Sequence, residues 1–365
     1  MRTTRHDIKN AKRLVIKIGS SSLTCPDGSL NLEQIHILVD SIIKARTRGQ
    51  EVVLVSSGSM AAGMSAIELD GRPRDISAHQ AASMVGQSRL ISAYQKEFSR
   101  SGISVGQVLL TTMDIENRRH YINAHESIHL LLSFGVVPIV NENDAVVTDE
   151  VRFGDNDRLA ALTSHLIDAD ALILLTDVDG LYDAPPSHGG SRLISVVDDF
   201  SQLENLSITS RGSVVGTGGM LSKVRAAHLA THGGVGVLLT RADLIGKALD
   251  TGDVGTWFVP QKKRESARSL WLAHAAQAQG KIIVDDGAVR ALSKKRVSVL
   301  PVGVVGVAGR FSSGDLVEVV GMDGDIIARG ITALSSVEVA RLAGGDNDDN
   351  RGLAPVIHAN DLVRM

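Results

Sequence analysis

Residues 135–167, GVVPIVNENDAVVTDEVRFGDNDRLAALTSHLI, have the pattern of a buried strand, a polar loop and a helix in succession. The loop carries six carboxylates against one arginine: Glu142, Asp144, Asp149, Glu150, Asp155 and Asp157 against Arg152. Carboxylates that repel each other where a buried strand ends usually face a ligand, because folding alone gives little reason to crowd them there. A solvated acidic hairpin is the alternative, and the loop alone does not decide between the two.

Apolar strands alternate with helical segments on both sides of this stretch. The strands are LVIKI, EVVLV, SVGQVLL, ALILLT, VGVLLT and VGTWFV, and the main helices span residues 32–48, 78–101 and 114–135. This alternation predicts an α/β fold, a three-layer αβα sandwich around a mostly parallel sheet. Ligands bind such sheets beyond the carboxyl ends of the strands, where we expect four polar clusters to meet. They are Gly19–Ser22, Ser56–Gly58, Asn141–Asp144 and Thr176–Asp179.

Two lysines sit where a phosphate could be bound. Lys17 lies one residue before the end of the first strand, beside a turn of small residues, which favours an anion contact over a side chain that merely reaches solvent. Lys223 follows the glycines of GTGGMLSK, residues 216–223, at a predicted helix start. Free helix amides and a mobile cation make an anion site, although a flexible linker would show similar glycines. The loop is not a Walker A motif, which requires GxxxxGK[ST].

The C-terminal part of the chain changes character. Residues 1–260 are predicted to form the α/β domain, 261–279 a linker and 280–365 a small β-barrel-like domain, because short strands separated by Gly/Asp turns follow residue 280. The last segment, PVIHANDLVRM, is expected to add an edge strand.

Composition limits the function classes. The net charge of −3 gives no general attraction to nucleic acid or anionic membrane. A lone cysteine, Cys25, excludes an internal disulfide framework and a cysteine-based metal site. No signal peptide and no membrane span are recognisable, so the cytoplasm is the expected location.

The motifs together resemble a known family. Lys17 in VIKIGSS, the Ser56–Gly58 turn, VNEND, FGDND, TDVDGLYD and GTGGMLSK occur in the order found in the glutamate 5-kinases, which have the amino acid kinase fold. The C-terminal segment resembles the PUA domain that many bacterial members carry. Departures from the family pattern include Ser222, which replaces a usual threonine, and Leu221, which is bulkier than expected.

The resemblance implies ATP-dependent phosphorylation of the γ-carboxylate of L-glutamate, the first step of proline biosynthesis. It implies three catalytic residues: Lys17, Asp157 and Lys223. It implies three glutamate-binding residues: Ser57, Asp144 and Asn156. For ATP it implies a larger set: Lys17, Thr176, Asp177, Thr217, Gly218, Gly219, Met220, Leu221, Ser222 and Lys223. Mg²⁺ held mainly by the phosphates is the expected second cofactor, with no metal ligands assigned to the protein.

The same resemblance implies proline as a feedback inhibitor, a homo-oligomer, and the next enzyme of proline synthesis as a candidate partner. A sibling kinase for another acidic amino acid is the nearest alternative. RNA binding through the PUA-like segment is an alternative of another class. Residues 277–365 hold ten Lys and Arg against eleven Asp and Glu, with Phe311 as the one aromatic. This balance argues against RNA, because a phosphate footprint needs a basic face.

Overall fold

The computed structural model describes residues 4–25, 27–69, 73, 75–146, 156–184, 190–203, 219–261, 278–294, 297–343 and 354–365. The chain divides into two compact units, one of Met1–Asp114 with Arg119–Glu265 and one of Ile115–Arg118 with Ser266–Met365. Residues 262–277 of the predicted linker lie outside the described residues, so the linker stays a prediction. Within the described ranges, no helix has both the length and the apolarity to cross a bilayer.

The described residues up to 261 contain strands and helices in alternation. The strands are β1 Arg13–Ile18, β2 Glu51–Ser56, β3 Val105–Leu110, β4 Val137–Glu142, β5 Ala171–Thr176, β6 Val196–Val197, β7 Gly236–Arg241 and β8 Thr256–Phe258. The α-helices are α1 Ser20–Leu23, α2 Leu32–Thr47, α3 Ser59–Ala66, α4 Ile76–Ser99, α5 Thr112–Glu116, α6 Arg118–Ser133, α7 Asn156–Leu166, α8 Met220–His232 and α9 Ile245–Asp250. Short 3-10 helices are Arg5–Asn10, Phe200–Leu203 and Ala242–Leu244. The segment predicted as one helix over 114–135 is divided between α5 and α6, and β6 was not predicted.

The strands form one sheet in the order β3-β4-β2-β1-β5-β7-β8-β6. The β7–β8 pair is antiparallel and the other pairs are parallel, which confirms the mostly parallel α/β sheet. The four strands that precede the polar clusters, β4, β2, β1 and β5, are consecutive neighbours. Since they are parallel, their carboxyl ends lie at the same edge, as the sequence predicts.

The side chains of β1 point alternately to the two faces of the sheet. Leu14, Ile16 and Ile18 belong to a core that includes residues of α2, α4 and α9. Successive residues of a strand point to opposite faces, so Lys17 points to the other side of the sheet. Its ammonium there meets a carboxylate of α7. Helices therefore cover both faces of the sheet.

Helices α3 and α4 approach each other closely at two glycines. A Cβ on Gly63 would lie 1.7 Å from the carbonyl oxygen of Ala82, and one on Gly86 would lie 1.6 Å from that of Ser59. No side chain fits at either position without moving backbone. Glycine here serves close packing, which brings α4 near the polar edge of the sheet.

The second unit has its own sheet and core. Its strands are β9 Gly280–Val284, β10 Val304–Gly309, β11 Leu316–Val320, β12 Ile326–Ile331 and β13 Leu362–Arg364, in the order β10-β9-β11-β12-β13. Its helices are α10 Asp286–Lys294 and α11 Ser336–Ala343, with 3-10 turns at Pro301–Gly303 and Ala359–Asp361. The predicted C-terminal edge strand is confirmed, since β13 pairs with β12 at the end of the sheet. Closure into a barrel stays a prediction.

Candidate active site

Asp157, the second residue of α7, joins two lysines from different elements. Lys17 Nζ lies 2.6 Å from Asp157 Oδ1, and Lys223 Nζ lies 3.2 Å from Oδ2. The Ser222 hydroxyl donates to Oδ2 at 2.7 Å. The three charged residues are 2–7% exposed, so this is a buried cluster at the carboxyl edge of the sheet.

The cluster keeps its carboxylate ionised. Burial by itself would raise the pKa of Asp157, but the charges of Lys17 and Lys223 outweigh it and hold the pKa well below the usual range. Such a carboxylate is a poor proton acceptor, and it limits the rotamers of the ammonium groups that it binds. Lys17 is also held by its strand, which pairs with β2 on one side and β5 on the other.

Asn156, the residue before Asp157, heads a neutral hydrogen-bond network. Its Nδ2 donates to Ser57 Oγ at 2.9 Å and to Asn141 Oδ1 at 3.0 Å. Asn141 Nδ2 in turn donates to Gln87 Oε1 of α4 at 2.7 Å. Asn156 Oδ1 is buried and has no hydrogen-bond partner among the described residues. A buried acceptor of this kind is suited to a donor on a ligand.

Asp144 follows β4 and lies beside α3. Ser59 Oγ donates to its Oδ2 at 3.1 Å. Burial raises the pKa of Asp144, while the hydrogen bond from Ser59 and the charge of His79 act in the opposite direction. A nearby cation would favour its charged form. The left-handed backbone of Gly58, with φ of 102°, makes the turn between β2 and α3 that presents Ser57 and Ser59.

The predicted nucleotide side is described in part. The Thr176 hydroxyl, at the end of β5, donates to the Asp177 carboxylate at 2.9 Å, with Thr176 buried and Asp177 exposed. Gly219 precedes the first residue of α8, whose first turns carry four of the predicted residues: Met220, Leu221, Ser222 and Lys223. The first amides of such a helix have no partner within it and can bind an anion. Thr217 and Gly218 lie outside the described residues.

The sequence model of the amino acid kinase family matches residues 12–240. The chain belongs to the amino acid kinase family. Curated relatives in this family named "Glutamate 5-kinase" include that of Streptomyces coelicolor, which is 47% identical over 100% of this chain and 99% of the relative. Those of Mycolicibacterium vanbaalenii and Nocardia farcinica are 45% and 44% identical over the full length of both chains. The resemblance to glutamate 5-kinases is thereby confirmed.

The second unit also matches a family. The sequence model of the PUA domain matches residues 280–353. The amino acid kinase family and the PUA domain thus account for separate parts of the chain. Both agree with the resemblance drawn from the motifs.

Several members of the site were not predicted from the sequence. Gln87 lies inside a long helix, and its amide gives no local signal of its role. Asn141 was placed in the polar cluster after β4 without a partner, and Ser59 was given no role. The VNEND motif could have indicated Asn141. Only the fold, however, brings Gln87 to Asn141 and Ser59 to Asp144.

Proposed function

We propose that this chain transfers the γ-phosphoryl group of ATP to the γ-carboxylate of L-glutamate, forming L-glutamyl 5-phosphate in the first step of proline biosynthesis. The observation that carries the proposal is the buried cluster of Lys17, Asp157 and Lys223 at the carboxyl edge of a parallel sheet. The curated names of relatives that align with the whole chain support the choice of glutamate.

The acceptor carboxylate needs no general base, because it is already ionised at neutral pH. Catalysis then depends on positioning and on stabilising the charge that spreads over the transferred group. Lys17 and Lys223 supply positive charge from two directions. Asp157 orients both ammonium groups, and its lowered pKa keeps it from taking a proton.

Glutamate is proposed to bind through Ser57, Asn156 and Asp144. Asn156 Oδ1 offers a buried acceptor to the α-ammonium group, and its Nδ2 is already committed to Ser57 and Asn141. Asp144 offers a carboxylate whose pKa is raised by burial, and a bound ammonium would favour its ionised form. A free α-ammonium therefore becomes a requirement for recognition, which disfavours N-acylated substrates.

ATP is proposed to bind between the end of β5 and the start of α8, through Thr176, Asp177 and residues 217–223. When bound with the nucleotide, Mg²⁺ offsets phosphate charge. In the described residues at this edge, no group of three acidic, histidine or cysteine side chains has metal-binding spacing. The ion is proposed to be held mainly by phosphates and water, as is usual for Mg²⁺ at kinase sites.

The deciding experiment traps the product with hydroxylamine. Purified protein with ATP, Mg²⁺ and L-glutamate should form γ-glutamyl hydroxamate, and omission of ATP is the matched control. Product from aspartate or N-acetylglutamate but not from glutamate would overturn the substrate assignment and favour a sibling kinase.

Regulation by proline and assembly into a homo-oligomer are part of the proposal, as are an association with the next enzyme and a cytoplasmic location. Proline that raises the apparent KM for glutamate without lowering kcat would place its site over that of glutamate. Light scattering with and without residues 280–365 would test whether the PUA domain sets the subunit number.

A further inference from the structure

Two histidines of α6 lie beside a carboxylate at the end of α7. His125 and His129 are four residues apart, and their ring centroids are separated by 4.2 Å. One potential ligand atom from each histidine and one from Asp168 all lie within 4.8 Å of one another, and the three residues are partly buried. Two histidines at this helical spacing are a recurring arrangement for binding one zinc ion.

Asp168 lies in a left-handed turn that directly follows α7. Its φ is 53°. Glycine is usual at such helix ends, and a negative charge there opposes the helix dipole. Within the described part of the chain, no hydrogen bond to its carboxylate is found. A carboxylate at an unfavourable helix end, with no hydrogen bond of its own, is suited to a cation from outside its turn.

The charges around the three residues are compatible with a cation. The guanidinium of Arg13 lies close by, with Nη1 3.4 Å from His129 Nε2, the long limit of a hydrogen bond. Arg13 is itself bound by Glu51 at 2.6 Å and by the Ile167 carbonyl oxygen at 2.5 Å. Its charge is therefore largely offset.

This cluster is separate from the kinase site. Arg13 is the first residue of β1 and Glu51 the first residue of β2, whereas Lys17 lies near the opposite end of β1. Four residues of strand correspond to about 13 Å. The cluster thus lies at the amino edge of the sheet, away from the residues that the phosphoryl transfer uses.

We propose that His125, His129 and Asp168 bind a divalent transition-metal ion of the Zn²⁺ or Co²⁺ type. Two imidazoles and one carboxylate select such ions over Mg²⁺, which prefers oxygen ligands. Tetrahedral ligands about 2.0–2.1 Å from zinc are about 3.4 Å apart, so small side-chain rotations bring these atoms into place. The ion ties α6 to the turn between α7 and β5, and it stabilises that contact.

The test uses the full chain, freed of metal by chelation, and Co²⁺ as the probe because its visible absorption reports its ligands. Wild-type protein should bind one Co²⁺ per chain with saturation, and a millimolar excess of Mg²⁺ should not displace it. His125→Ala, His129→Ala and Asp168→Asn should each weaken binding by more than about tenfold. Asparagine tolerates the left-handed backbone of residue 168, so this variant changes the ligand rather than the turn.

His36→Ala is the matched control, since His36 also lies beside a carboxylate, 2.9 Å from Glu97, on another helix. It should retain the Co²⁺ spectrum. Melting curves should show a Zn²⁺-dependent rise in Tm for wild type and His36→Ala that the three site variants lack. Melting without metal and hydroxamate formation verify that each variant is folded. An absence of saturable binding to wild type, or an unchanged isotherm in the His125→Ala/His129→Ala double variant, would overturn the proposal.

Discussion

The first two residues of α7 belong to two different networks, one neutral and one ionic. Asp157 faces two lysines in a buried ionic cluster. Asn156 faces Ser57 and Asn141 in a neutral network that continues to Gln87. The part of the site proposed to bind phosphate and the part proposed to bind glutamate thus meet at two consecutive residues.

The two networks differ in the kind of interaction that holds their members in place. The ionic cluster depends on charge, so the loss of one member removes an opposite charge from the others in a buried place. The neutral network depends on geometry, and each hydrogen bond contributes only modestly to stability. We therefore expect changes in the ionic cluster to affect folding and turnover strongly, and changes in the neutral network to affect glutamate binding mildly.

Asp157→Asn should produce the largest effect. It leaves two buried ammonium groups facing a neutral amide, so the free energy of unfolding should fall by about 3–5 kcal/mol. Denaturant unfolding at pH 7 measures this. Asp250→Asn is the control, because the Asp250 pair with Arg48 is exposed and should contribute less than about 1 kcal/mol. Equal losses in the two variants would contradict the contrast between buried and exposed pairs.

Lys223→Met should lower kcat by about 10²–10³-fold and leave the KM for glutamate within a few-fold, because its charge is needed most as the phosphoryl group is transferred. Lys17→Met should behave similarly. Steady-state hydroxamate assays measure both constants. Lys247→Met removes an exposed lysine of α9 and should change neither. A raised KM with unchanged kcat would assign Lys223 to binding alone.

As the pH falls, stability should decrease through His165 near the end of α7 before Asp157 of the ionic cluster takes a proton. Burial lowers the pKa of His165 to about 4, whereas the unfolded chain keeps a value of about 6.5. Between these values the unfolded state binds a proton that the folded state does not, so stability falls as the pH falls, by up to about 3 kcal/mol. Asp157, with its lowered pKa, stays ionised throughout this window.

Unfolding measured from pH 7 to 4 in wild type and in His165→Gln tests this assignment. The variant should lose less stability over the same range. A slope that is the same in both proteins would show that other groups account for the acid sensitivity.

Gln87→Ala should have the smallest effect, a rise of about fivefold in the KM for glutamate, equivalent to about 1 kcal/mol. Gln87 acts through Asn141, which it helps to hold, so kcat should change little. Ser88→Ala, one residue further on the same helix and exposed, is the control. A fall in kcat at constant KM would place Gln87 with the ionic cluster instead.

The sequence predicted the part of the site that depends on strong local signals. A lysine inside an apolar strand is unusual enough to mark Lys17 individually, whereas Asp157 is assigned through the FGDND motif of the family that the chain resembles. Alternating strands and helices then predicted a parallel sheet, whose topology brings the strand ends to one edge. The structure places Lys17, Asp157, Lys223 and Ser222 in contact, and their roles in catalysis stay predictions for the variants above.

The tertiary structure alone decided which neutral groups become partners. Asn141 and Gln87 are 54 residues apart and Asn156 and Ser57 are 99 apart, yet each pair is within hydrogen-bond distance. Amides and hydroxyls are common throughout a chain, and nothing local distinguishes the ones that will meet. The same holds for the approach of Gly63 to Ala82 and for His125, His129 and Asp168. Periodicity and charge are properties of a segment, whereas a contact between distant segments exists only after the chain has packed.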